Sequence, residues 1–161
     1  MYRVGGYVKL AKLWERNKAD AIQYHKAYYR DKLSSASDST LVDVYIDITG
    51  KKEIWKRSGM IRLIRDCQMG RINCIATQTK AYLAANTEEF FFLLYILFGM
   101  NDRIDLITED QDYNINTLVN ADNQREALFE TSRKYISVEP ARYKEWLSRV
   151  IQAINDLNNN T

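Results

Sequence analysis

Short β-branched runs alternate along this chain with stretches of helical period, and that alternation leaves few folds open. Leu41-Val42-Asp43-Val44-Tyr45-Ile46 and Ile72-Asn73-Cys74-Ile75-Ala76 have the aliphatic character of strands covered on both faces. Between them Met60, Ile61, Leu63, Ile64 and Cys67 form an apolar stripe at helical spacing, with Ser58 placed to cap its first turn and Gly70 to stop it. The full pattern predicts strands over 2–10, 41–47, 72–78 and 104–108 and helices over 18–33, 59–69 and 87–98, with further helices to the end. The expected fold class is α/β: one three-layer domain with a mainly parallel central sheet flanked by helices, followed by a C-terminal amphipathic helix.

Two helical segments are more apolar than a solvated surface tolerates. Residues 90–98, Phe-Phe-Phe-Leu-Leu-Tyr-Ile-Leu-Phe, are apolar on every side of a helix begun by Asn86 or Thr87 and stopped at Gly99. After Ser137, with Glu139 and Pro140 in the first turn, Tyr143, Trp146, Leu147, Val150, Ile151, Ile154 and Leu157 recur at helical spacing. Each helix either packs on its own domain or serves a partner. The candidate interface residues are Phe91, Tyr95, Trp146, Val150 and Ile154. Asn158-Asn159-Asn160-Thr161 reads as a polar tail.

With 161 residues, of which 46% are hydrophobic, the chain has material for one core and one domain. The net charge of +2 is small, but residues 1–33 hold eight Lys or Arg against three acids and residues 51–71 hold seven against two. In 101–130 the balance reverses: Arg103 and Arg125 face Asp102, Asp105, Glu109, Asp110, Asp112, Asp122, Glu126 and Glu130. Such a dipolar surface suits a polyanion at one end, although solvated helix faces give the same counts. Cys67 and Cys74 lack a His or Cys partner at ligand spacing, and His25 is the sole histidine and reads as an ordinary helix residue. No metal site, His-dependent triad or cofactor is expected. The run Phe90–Met100 is too short to cross a bilayer and the opening residues carry no charged-then-apolar leader, so a cytoplasmic protein is expected. Gly5-Gly6 lies inside a strand, not between strand and helix, and no GxGxxG or Walker pattern is present.

Several stretches carry a resemblance to a known family. Arg3-Val4-Gly5-Gly6-Tyr7-Val8-Lys9-Leu10-Ala11 is similar to the opening strand of a serine recombinase (resolvase/invertase) catalytic domain, which ends Tyr-x-Arg-Val-Ser. Tyr45-Ile46-Asp47 followed by Thr49-Gly50-Lys51 resembles that family's Tyr-x-Asp strand and glycine turn. Arg57-Ser58-Gly59-Met60 looks like its Arg-Pro-Gly-Leu helix opening, and Gly70-Arg71-Ile72-Asn73-Cys74-Ile75 like its Gly-Lys-Ile-Asp-Val-Ile. The residues before Glu109 resemble the Leu-Thr-Glu that ends the last core strand. The likeness covers about residues 2–135, so 1–135 is taken as a recombinase catalytic-like domain and 136–161 as a helical extension with its tail.

The resemblance implies that Ala11 stands where the family has its nucleophilic serine. Beyond the third strand, Ala81 replaces an aspartate, and Tyr82 and Ala85 replace arginines of the Lys-Leu-Asp-Arg-Leu-Ser-Arg-Asn motif. In the family the serine attacks a DNA phosphate to form a 5′-phosphoserine link while arginines stabilise the phosphoryl charge. A methyl group cannot attack, so the resemblance implies a catalytically inactive chain. Lys9, at another arginine position, and Arg57, at a retained one, are the candidate phosphate or DNA contacts. The segment Asn114–Gln124, where the family has a dimer-forming helix, is too polar for subunit packing, and nothing after residue 135 resembles a DNA-reading module. The implied role is accessory or regulatory in site-specific DNA recombination, beside an active recombinase of a bacterial mobile element or phage. It would act through a protein partner, self-association or weak DNA contact, with no membrane and no small-molecule substrate. Two alternatives stay open: a protein interaction module with no DNA role, and a small phosphate- or nucleotide-binding α/β protein.

Overall fold

The computed structural model of the chain describes residues 1–100, 103–119 and 121–160. Four strands, β1 (Tyr2–Leu10), β2 (Ser39–Ile48), β3 (Cys74–Thr77) and β4 (Asp105–Thr108), form one parallel sheet in the order β2-β1-β3-β4. Six helices accompany it among the described residues: α1 (Lys18–Leu33), α2 (Ser58–Gln68), α3 (Lys80–Leu83), α4 (Thr87–Phe98), α5 (Ala121–Val138) and α6 (Pro140–Asn159). Two 3₁₀ turns, Lys12–Asn17 and Ile54–Lys56, follow the first two strands. The expected α/β architecture is what forms.

Strand alternation divides the core in two. Val4 and Val8 of β1 join Val44, Cys74 and Ala76 under Tyr29 of α1. Tyr7 points the other way, with Tyr45, Ile75 and Leu106, into the larger core of α2, α4 and α6. The glycine pair in β1 makes room on both sides. A Cβ on Gly5 would lie 2.7 Å from the Ile72 Cδ1, and one on Gly6 would lie 3.0 Å from the Tyr29 ring. Cys67 and Cys74 are buried and free, and burial pushes the Cys74 thiol up to about 12. Gly70 ends α2 with φ 77°, the left-handed conformation expected of a helix stop.

The apolar helix α4 is covered by the chain's own C-terminal helices. Tyr95 stacks on Phe129 of α5 and Phe91 on Tyr135, while Phe92 meets the rings of Tyr143 and Trp146 from α6. A polar tie fixes α6 in place: the indole Nε1–H of Trp146 donates to Glu89 Oε2 at 2.9 Å, and the backbone N–H of Ile54 donates to the same oxygen at 3.0 Å. Helix α6 therefore belongs to the domain's packing, and residue 135, the expected division, falls inside α5. The Ser137 start expected for the last helix is corrected as well: Ser137 lies in α5, and Glu139 precedes Pro140 at the head of α6.

Asn114–Val119 is not the start of a helix. It lies along the open edge of β4, where Ile107 bridges Asn116, the Thr108 N–H donates to the Ile115 carbonyl and the Thr117 N–H donates to the Leu106 carbonyl. Its polarity reflects this edge pairing, which blunts an exposed strand. Of the acidic stretch, Asp102 and the side chain of Asp122 lie outside the described residues. Among the described residues no helix is long and apolar enough to cross a membrane.

Candidate functional site

Because all four strands are parallel, their carboxyl ends share one edge, where open α/β sheets place ligands. Register brings Lys9 of β1 opposite Asp47 of β2, and Leu10 opposite Ile48. Ala11 follows at the tip with extended backbone (φ −63°, ψ 152°), is exposed, and accepts the Trp14 N–H that opens the 3₁₀ turn. Ala11 is thus the first residue past the opening strand, which ends at Leu10.

Behind this tip lies a buried polar knot. Asp47 accepts three hydrogen bonds: from the Tyr7 hydroxyl at 2.7 Å, from the Gly59 N–H at 2.8 Å and from the Met60 N–H at 2.9 Å. The last two are free amides of the first turn of α2, so a carboxylate from a neighbouring strand caps that helix and meets its positive dipole end. This corrects the expectation that Ser58 would be the cap: Ser58 is the first helical residue, and Arg57, at the cap position, makes no side-chain capping bond. Gly59 is required by the approach, since a Cβ there would sit 2.9 Å from both Asp47 oxygens.

Arg57 completes the knot from inside. Only 1% exposed, it donates from Nη1 to the Tyr7 hydroxyl at 3.0 Å and to the Tyr82 carbonyl at 2.7 Å, and from Nη2 to the Leu83 carbonyl at 2.7 Å. Those carbonyls close α3, so the guanidinium ties the end of α3 to the start of α2. Its Nε is buried without a hydrogen-bond partner among the described residues. The folded chain gives both Nη groups of Arg57, the expected phosphate contact, protein acceptors, and the residue also lines the polar cleft at this edge. Burial first, then the Asp47 charge, holds the Tyr7 phenol far above its ordinary range, so Tyr7 stays a neutral hydrogen-bonding link.

Lys9 is half-buried beside the knot, its Nζ 3.5 Å from the Thr49 carbonyl. Partial burial, then the Arg57 charge, lowers its ammonium. A polar cleft of about 280 Å³ opens here between α1 and the end of β2, lined among others by Glu15, Lys18, Thr49, Lys51 and Lys56. Of the positions after β3, Ala81 and Ala85 are exposed, while Tyr82 is half-buried with its carbonyl held by Arg57. Thr79 and Lys80 instead bind Asp110: the Thr79 hydroxyl donates to Oδ1 at 2.8 Å and the Lys80 N–H to Oδ2 at 2.9 Å. Glu109 is engaged by the Tyr28 hydroxyl at 2.6 Å and by Lys32 of α1.

The candidate interface residues separate. Trp146 is 7% and Val150 1% exposed, so both are absorbed into the chain's own core, whereas Phe91, Tyr95 and Ile154 keep partial exposure. Sequence reasoning missed α3 and the knot. Tyr7, Asp47 and Arg57 each lie in a stretch that carries the resemblance, but their contact with one another was not read from the sequence.

No family model matches the sequence, and no curated protein matches it. Among solved structures the chain is similar to the N-terminal catalytic domain of TP901-1 integrase, with TM-score 0.59 and 15% identity over 86% of this chain and 97% of that chain. The chain therefore has a resolvase-like catalytic-domain fold: a four-stranded parallel sheet flanked by helices, closed by a C-terminal helix.

Proposed function

We propose that the chain is a serine-recombinase-like protein that does not cut DNA. It acts in the cytoplasm as an accessory or regulatory factor in site-specific recombination, by binding a partner protein, a second copy or, weakly, DNA. The observation that carries this reading is Ala11 at the carboxyl tip of β1, where the resemblance calls for a nucleophilic hydroxyl. The inward turn of Arg57 supports it, as do the methyl groups of Ala81 and Ala85, which offer no charge to a phosphoryl oxygen. Lys9 remains the contact of choice for a phosphate at this edge.

The test is association. Size-exclusion chromatography with light scattering, alone and with an active serine recombinase, should show a complex or a self-associated species. Titration with duplex DNA should show affinity that falls as salt rises. A monomer that binds neither recombinase nor DNA contradicts the accessory role.

A second reading, a protein interaction module, is favoured by one feature. An apolar groove of about 440 Å³ runs between α2, α4, α5 and α6, walled by Ile96, Met100, Phe129, Leu147 and the half-exposed Ile151. Ile151→Glu should abolish association if this groove binds a partner, and should leave it intact if the sheet edge does.

A further inference from the structure

We propose that the exposed segment 11–20 and the lysines beside it form a surface for single-stranded DNA, with an unpaired base stacked on Trp14. This names the ligand of the DNA-binding part of the reading above and rests on that part.

The segment is exposed at every residue, yet it carries Leu13 at 71% and Trp14 at 44% exposure, and Tyr24 of α1 adds a third large side chain at 65%. Leu10, Trp14, Ala21 and Tyr24 wall a pocket of about 430 Å³ with an almost wholly apolar surface, roomy enough for a base or two. Large exposed aromatics gathered beside one concave patch point to a ligand with a flat apolar face.

Charge selects the kind of ligand. Lys12 and Arg16 lie in the same turn as Trp14, Lys18 opens α1, and Lys51 and Lys52 follow β2. Lys18 and Lys51 line a common cleft with Glu15, and Lys9 stands near enough to Lys52 for the two charges to interact. Against these cations stand Glu15 and Asp20, since Glu53 already pairs with Lys56. Protein interfaces are depleted in lysine at their centres, whereas a cationic track beside stacking aromatics is the arrangement that holds single strands. A duplex keeps its bases stacked on one another and offers Trp14 no face. Asp20 and His25 also line this pocket, and DNA rather than RNA is named because the reading above is of a DNA-binding chain.

The experiment uses the full chain and a short oligothymidylate, followed by tryptophan fluorescence and by anisotropy at two salt concentrations. We expect Trp quenching, affinity that falls with salt, and about tenfold weaker binding for Trp14→Ala, with Trp14→Phe retaining most of it. Lys51→Glu combined with Lys52→Glu should weaken binding and flatten the salt dependence. Circular dichroism on each variant establishes that the fold is intact. Unchanged affinity in Trp14→Ala overturns the proposal, as does oligouridylate binding as tightly as oligothymidylate. Duplex bound as well as or better than the single strand also overturns it while leaving the DNA-binding reading in place. Absence of binding to either DNA form defeats both.

Discussion

Arg57 and Lys12 carry the same charge at the same end of the sheet, yet one is sealed inside and the other faces solvent. Around Arg57, the Tyr7 hydroxyl and the carbonyls of Tyr82 and Leu83 use both Nη groups, Tyr7 in turn donates to Asp47, and the arrangement ties β1, β2, α2 and α3 together. Around Lys12, residues 11–20 are exposed throughout and two of them are large hydrophobics. A cation is thus sealed wherever the fold supplies enough acceptors, and left to solvent where it does not. Arg57 is a structural tie, whereas residues 11–20 leave cationic and large apolar side chains to solvent.

The contrast can be broken most forcefully at its buried end. Arg57→Ala should destabilise the domain by about 3 kcal/mol, because it leaves a cavity and takes the donor from the Leu83 and Tyr82 carbonyls, while the Tyr7 hydroxyl keeps its bond to Asp47; urea denaturation followed by circular dichroism measures this. If stability were unchanged, Arg57 would not be the tie described. Gly59→Ala drives a methyl group against the Asp47 carboxylate, and the rigid three-way bonding of that carboxylate leaves it nowhere to go. A loss of about 2 kcal/mol is expected, read in the same denaturation.

A pH effect comes next in size and sits between the two regions. His25 is 9% exposed beside the Trp14 pocket, and burial lowers its pKa below the ordinary 6.5. The unfolded chain therefore takes up this proton at higher pH than the folded one. The stability contributed by neutral His25 is complete above about 6.5 and declines as pH falls below that value toward the folded-state pKa. His25→Leu should remove this part of the slope in a melting series across that window. At the exposed end, Lys12→Ala and Arg16→Ala should leave the melting temperature unchanged, which sharpens the comparison with Arg57.

The sequence made the architecture readable because period and burial coincide: β-branched runs became the four strands, and α1 and α4 span the residues expected of them. Gly70 stops its helix because local backbone geometry alone decides such a stop. What stayed hidden is non-local. Ser58 sat beside the right place for a cap, but Asp47, twelve residues before Gly59, provides it. Arg57 looked like a surface cation because charge usually means exposure, and nothing in its neighbours announces two carbonyls waiting in α3. The last helix left two options open by periodicity, and the choice was made by Glu89, which holds Trp146 from another element.

The central claim is that this fold carries no nucleophile for DNA at its strand tip. Incubating the full chain with recombination-site duplex DNA, quenching in denaturant and searching for protein–DNA adducts by gel and mass spectrometry tests it directly, with an active serine recombinase as control. An adduct is expected for the control and none for this chain. A covalent link between any of its serines and a cleaved 5′ end would contradict it.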